Sequence, residues 1–210
     1  MEKDVSIRVD SITLPGMLTL PEKAAGIVIF AHGSGSSRFS PRNRFVAEVL
    51  QNAALGTLLF DLLTREEDEI YENRFNIELI TERLVKATEW LARQEEAKDL
   101  AFGYFGASTG AAAALKAAAR LGNRIKAVVS RGGRPDLAMH ILDQVESPTL
   151  LIVGAHDEAV LDLNRQALEK LKAVKHLEII PGATHLFEEP GTLEQAAQTA
   201  VSWFTRHLVS

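Results

Sequence analysis

Cysteine is absent from the 210 residues, which excludes both a disulfide scaffold and a thiolate metal site. A basic surplus is missing too: 23 Lys and Arg stand against 28 Asp and Glu, for a formal net charge of -5. A nucleic-acid partner, which needs a basic face, is therefore disfavoured. No apolar run is long enough to span a bilayer, so no membrane partner is expected. Neither a His-Glu-x-x-His metal signature nor a Gly-x-x-x-x-Gly-Lys phosphate loop occurs, and no metal or other cofactor is expected. The charged start, Met1-Glu2-Lys3-Asp4, lacks the apolar segment of a secretory signal, which makes cytoplasmic location the default expectation. What is present is ordinary for a water-soluble chain: 46% hydrophobic and 24% charged residues, over a length that fits a single domain spanning residues 1–210.

One stretch stands out, Gly106-Ala107-Ser108-Thr109-Gly110. The apolar run Leu100-Ala101-Phe102-Gly103-Tyr104-Phe105 precedes it, and nine residues of strong helix formers, Ala111 to Ala119, follow. A strand, a Gly-x-Ser-x-Gly turn and a helix together lift a serine hydroxyl clear of a sheet on a strained bend. Ser108 is thus the candidate nucleophile. The helix behind it directs free amides and its positive dipole end at a developing oxyanion, and the Thr109 amide is the natural first donor.

Taken in order, the chain alternates strand and helix signals. Val5 to Val9 and Ile12 to Leu20 read as an antiparallel pair at a sheet edge, with Pro15 tolerated there. Gly26 to Ala31 and Gly56 to Asp61 are continuous apolar runs of strands covered on both faces. Helical spacing marks Pro41 to Ala54 and Asn76 to Arg93, whereas the charge run Arg65 to Glu69 reads as a solvated face or loop without chemistry. Further strands are expected at Ile125 to Ser130, Ser147 to Gly154 and Lys175 to Ile180. Helices are expected at Leu137 to Leu142, Val160 to Leu171 and Thr192 to Leu208. The fold class is α/β: a twisted, mostly parallel sheet with an antiparallel N-terminal edge and helices on both faces.

Ligands in such sheets bind at the carboxyl ends of the strands, and the loops there carry the remaining candidates. Asp157 follows the strand ending at Gly154, and His185 follows the one ending at Ile180. Glu158 and Asp162 rival Asp157, but Asp162 is placed on the coming helix, facing water. The order Ser108, Asp157, His185 suits a nucleophile, an orienting acid and a general base gathered at one edge. The glycine-rich loop His32-Gly33-Ser34-Gly35 offers a second oxyanion donor, with Ser34 preferred and Gly35 next; His32 itself is expected to pack and hydrogen-bond that loop. Arg131 and Arg134 are candidates for binding a carboxylate or phosphate of the substrate, or for pairing with local acids.

These motifs, together with Gly154-Ala155-His156-Asp157 and Gly182-Ala183-Thr184-His185, resemble those of the α/β-hydrolase superfamily, and within it the small dienelactone-hydrolase-like group. The resemblance runs from about Val5 to Leu208. It implies the α/β-hydrolase fold, a Ser-His-Asp triad, and cofactor-free cleavage of ester, thioester or lactone bonds in small acyl substrates. One departure is chemical: dienelactone hydrolases proper use a cysteine nucleophile, and this chain has none. Loop lengths leave no room for a large helical lid, so an open, shallow pocket is expected. Two alternatives use the same fold: a non-catalytic binder of a ligand or partner, and an acyltransferase with the same triad.

Overall fold

The computed structural model describes residues 1–209. Its eight strands form one sheet: β1 (Glu2–Val9), β2 (Ile12–Thr19), β3 (Gly26–Ala31), β4 (Gly56–Phe60), β5 (Ala101–Ala107), β6 (Ile125–Arg131), β7 (Thr149–Gly154) and β8 (Lys175–Ile180). The spatial order is β1-β2-β4-β3-β5-β6-β7-β8. β2 runs antiparallel to both β1 and β4, and from β4 to β8 every pairing is parallel. The expected antiparallel edge and parallel centre are both found.

Burial on both faces follows from side-chain alternation in the central strands. Ile27, Ile29, Tyr104, Val128 and Leu151 point to one core, while Val28, Phe30, Phe105, Val129 and Ile152 point to the other. Helices α3 (Ile77–Leu91), α4 (Thr109–Leu121) and α5 (Glu158–Lys170) cover the first face, with α1 (Pro41–Asn52) and α6 (Thr192–Leu208) on the second. α2 (Arg65–Asp68) is a single turn. Among the described residues, no large lid covers the carboxyl edge. Among the described residues, no helix is long and apolar enough to cross a membrane.

Two expectations from the sequence are corrected. Arg65 to Glu69 is not a plain solvated loop: Thr64 and Glu67 form a reciprocal capping box, and Arg83 pairs with Glu67 at 2.5 Å. Charges read as solvation are in part capping and pairing groups. The segment Pro135–Gln144 is a run of 3₁₀ turns in place of a short α-helix, packed through Ala138 and Leu142.

At the centre, α4 lies unusually close to the strand ends. A Cβ on Gly110 would sit 2.2 Å from the Ala31 carbonyl oxygen, and one on Gly106 would sit 2.4 Å from the Ala111 Cα. Both obstacles are backbone, so neither can swing aside. His32, at the end of β3, is buried and bridges two loops. Its Nε2 accepts from the Leu62 amide at 3.1 Å while Nδ1 donates to the Gly33 carbonyl at 3.0 Å. Only the neutral Nδ1-protonated ring can do both, and burial holds its pKa below 6.5 against smaller opposing effects of the Gly33 carbonyl, Asp61 and Asp68.

Gly110→Ala is expected to lower stability by about 2 kcal/mol or more, roughly 5 °C in Tm, as read by thermal denaturation. For His32 the depressed folded-state pKa favours the neutral ring. Its stabilisation is therefore complete above pH 6.5 and declines as pH falls from there toward the folded-state value. Tm should drop between pH 7.5 and pH 5.5, and less steeply in His32→Gln. His207, also depressed by burial and by Arg206, should leave a residual slope of the same sign.

Candidate active site

Ser108 occupies the junction of β5 and α4 with φ 51° and ψ −121°. Such a conformation costs a non-glycine residue about 1–3 kcal/mol and persists only where neighbours over-determine it. Here they do. The Ser108 amide donates to the Arg131 carbonyl at 3.2 Å, and the Ser108 carbonyl accepts from the amides of Ala111 and Arg134, each at 3.1 Å. Although Ser108 is the N-cap of α4, its side chain caps nothing. The hydroxyl is left free at the positive end of a 13-residue helix.

Asp157 shows the same withheld capping. It is the N-cap of α5, yet its carboxylate accepts no bond from that helix; Oδ2 accepts instead from His185 Nδ1 at 2.6 Å. A carboxylate partner requires Nδ1 to carry the proton, which leaves Nε2 as a lone-pair acceptor. The loops holding the two residues are tied together. The amides of Ala155 and His156 donate to the carbonyls of Ile180 and Ala183 at 3.0 and 2.9 Å. The approach is so close that a Cβ on Gly154 would lie 2.4 Å from the Ala183 carbonyl oxygen. Glu189 braces the histidine loop from the far side, accepting from the Thr184 amide at 3.0 Å and its hydroxyl at 2.6 Å.

Ser108 and His185 line one cleft of about 230 Å3. No hydrogen bond joins the Ser108 hydroxyl to His185, a looseness common where no substrate is bound. The rivals considered from sequence lie elsewhere. Glu158 is exposed in the first turn of α5, and Asp162 pairs with Arg165 at 3.0 Å on its surface. A larger cavity of about 600 Å3, lined by His32, Arg38, Asp61 and Thr64, adjoins the cleft through Ser36 but reaches none of Ser108, Asp157 and His185.

The two expected oxyanion residues of the β3 loop differ in placement, Ser34 lining the cleft and Gly35 not. The Ser34 amide, taken as the second donor, already donates to Thr109 Oγ1 at 2.9 Å. The buried Thr109 hydroxyl needs a partner, and the loop amide supplies it. Serving an oxyanion would require Ser34 to exchange that bond. Gly35, with φ 67°, lies off the cleft lining; Gly33 is the loop residue against Ser108, where a Cβ would stand 3.2 Å from the serine Cβ. The Thr109 amide, in the first turn of α4, has no intramolecular acceptor among the described residues.

The two arginines separate clearly. Arg134 is engaged bidentately by Asp136, with both contacts at 2.8 Å, and this pairing raises its pKa. It does not line the cleft. Arg131 does, and it is 8% exposed with no carboxylate partner among the described residues. Its Nη1 has no hydrogen-bond partner, while Nη2 reaches only Asn43 Oδ1, at 3.4 Å. The guanidinium stands 5.9 and 5.7 Å from the ring centres of Phe105 and Phe187. Burial and the nearby charge of Arg42 push its pKa down to about 10.

Sequence reasoning missed Ser40, Arg42 and Asn43, from the start of α1, which also line the cleft. The signal available was Ser40-Pro41, a helix start following the glycine-rich loop. Glu189 carried none, since it acts through a loop conformation. Among the described residues, no group of three or more His, Asp or Glu is placed to hold a metal ion.

Comparison with known proteins finds relatives over nearly the whole chain. A dienelactone hydrolase from Anabaena variabilis ATCC 29413 is 56% identical, covers 99% of this chain and 98% of its own, and superposes with a TM-score of 0.96. Est1E from Butyrivibrio proteoclasticus shares the fold at 17% identity, with a TM-score of 0.83 over 97% of this chain and 98% of its own. A Mycobacterium tuberculosis (strain ATCC 25618 / H37Rv) protein, provisionally named a phosphoribosyl transferase, is 56% identical over 207 residues. That match takes in 99% of this chain but 47% of the relative, so the chain spans about half the length of such curated relatives. The sequence pattern of the dienelactone hydrolase family matches residues 14–208, and the chain belongs to that family.

Proposed function

We propose that the protein is a serine hydrolase that opens small ester, thioester or lactone substrates through an acyl-enzyme on Ser108. The observation that carries this reading is the 2.6 Å Asp157–His185 hydrogen bond. It fixes the imidazole tautomer in the same cleft as a strained, uncapped serine. In this mechanism His185 Nε2 takes the proton of Ser108 as Oγ attacks the acyl carbonyl, and Asp157 stabilises the imidazolium that forms. The same proton then passes to the leaving group. Water, deprotonated by His185, attacks the acyl-enzyme and returns the serine.

The oxyanion forms at the N-terminus of α4, where the Thr109 amide is free. One such donor contributes on the order of 3 kcal/mol to the transition state. The absence of cysteine gives this chain the alkoxide chemistry of an esterase in place of the thiolate chemistry of dienelactone hydrolases proper. The phosphoribosyl transferase name of the mycobacterial relative belongs to a chain about twice this length; the Asp157–His185 pair favours ester hydrolysis for the shared portion.

Ser108→Ala should lose turnover of 4-nitrophenyl esters by at least about 10³-fold while keeping its Tm within a few degrees. A folded variant that kept most of its activity would overturn the assignment. Asp157→Asn should lower kcat by about 10²-fold or more with a smaller change in KM, because the wrong tautomer becomes available to His185. A fluorophosphonate probe should label wild type at Ser108, located by peptide mass spectrometry; absence of labelling would favour a non-catalytic binder.

A further inference from the structure

The cleft beside Ser108 carries positive charge that the mechanism above does not use. Its lining contains two arginines and no carboxylate. Arg131 is more than nine-tenths buried with Nη1 unpartnered. A buried charge without a counter-ion is costly and is retained in proteins chiefly where something else neutralises it. Its aromatic flanks, Phe105 and Phe187, lie at the outer edge of cation–π range but carry no charge and leave Nη1 without a hydrogen-bond acceptor. The second cation, Arg42, makes only a long 3.4 Å contact with the exposed Glu188.

The surrounding donors have one chemistry. The first turn of the 12-residue α1 opens onto this cleft through its N-cap Ser40, with Arg42 and Asn43 following. Pro41 has no amide hydrogen and the amides of Asn43 and Arg44 go to Ser40, so α1 offers this space the Arg42 amide and the partial positive charge of its N-terminus. Hydroxyls of Ser34, Ser36 and Ser40 add donors. Two cations, three hydroxyls and a helix N-terminus without any acid form a set that a dianion neutralises better than a monoanion.

Position ties this set to the reaction. Arg131 pairs with Ala107 across β5 and β6, and its carbonyl accepts from the Ser108 amide. The guanidinium therefore belongs to the strand neighbouring the nucleophile, about 5 Å away at the backbone. A group bound there lies a short spacer from the scissile carbonyl.

We propose that the substrate is a small ester or lactone carrying a phosphoryl group, seated between Arg131, Arg42 and the N-terminus of α1. This rests on the hydrolase reading for the bond cleaved, but not for the binding itself. The site selects substrate by charge, and Arg131 is a specificity-determining residue.

Two measurements test it separately from catalysis. On Ser108→Ala protein, inorganic phosphate in a chloride-poor buffer should raise Tm in a saturable way, and acetate at equal concentration should raise it less. Arg131→Met on that background should abolish the phosphate response. On active protein, kcat/KM should be compared for 4-nitrophenyl 3-phosphonopropionate, mono-4-nitrophenyl succinate and neutral 4-nitrophenyl butyrate. The phosphonate ester should lead the neutral ester by about tenfold or more and also exceed the succinate ester. That lead should fall to near unity in Arg131→Met and shrink in Arg42→Ala. The half-buried Arg42 variant gives the answer if Arg131→Met does not fold.

A charge-indifferent wild type, or a lead unchanged in the arginine variants, would overturn the proposal. Preference for succinate over phosphonate would overturn the phosphoryl assignment in favour of a carboxylate. Loss of the hydrolase reading looks different: no ester is turned over, while the phosphate response of the Ser108→Ala protein persists.

Discussion

The reactive edge depends on how closely one helix is pressed against the ends of two strands. α4 meets the Ala31 carbonyl at a distance that admits no side chain at Gly110. Its body is correspondingly made of small residues, with Ala111 to Ala114, Ala117 and Ala118 fully buried. A bulkier helix would stand off from the sheet, relaxing the bend at Ser108 and separating the helix dipole from the hydroxyl. The alanine-rich composition of α4 is thus a steric condition for the serine's position as much as a matter of helix propensity.

Much of the architecture was legible because period and burial coincide. The β-branched runs of β3 and β7 and the helical spacing of α3 have each a single reading, and loops at the strand ends could be ordered from them. Asp157 and His185 could be found by their place after predicted strands, without knowledge of their contact. Other features were illegible for a physical reason. Which amide of the β3 loop stays free depends on the Thr109 rotamer, and which arginine stays unpaired depends on Asp136 lying two residues from Arg134. The paired role of Glu67 likewise arises from Arg83, 16 residues away. Pattern fixes backbone elements; partner choice among polar side chains is decided in three dimensions.

The electrostatics of the edge divide by strand. On the side of β7 and β8 the acid and the imidazole satisfy each other at 2.6 Å, and Glu189 accepts from the amide and hydroxyl of Thr184. On the side of β6 and α1 the Arg131 guanidinium has no carboxylate partner among the described residues, and Arg42 has only its long contact with Glu188. A substrate that carries its own negative charge completes that second half, so recognition and chemistry draw on different elements meeting at Ser108. Variation in α1 can therefore retune selectivity without touching the groups that move protons.

β8 is one of the two edge strands, and its residues are largely exposed or half-buried, whereas β5 lies inside the sheet and is almost wholly buried. The proposed base hangs from a poorly protected edge strand and the proposed nucleophile from one of the best protected. Local opening of a sheet margin requires far less free energy than global unfolding. The margin can fray, carrying the imidazole away from the serine, while the central sheet and its spectroscopic signature persist. On heating, activity then has a lower ceiling than the fold itself, and the two part company at the β8 edge.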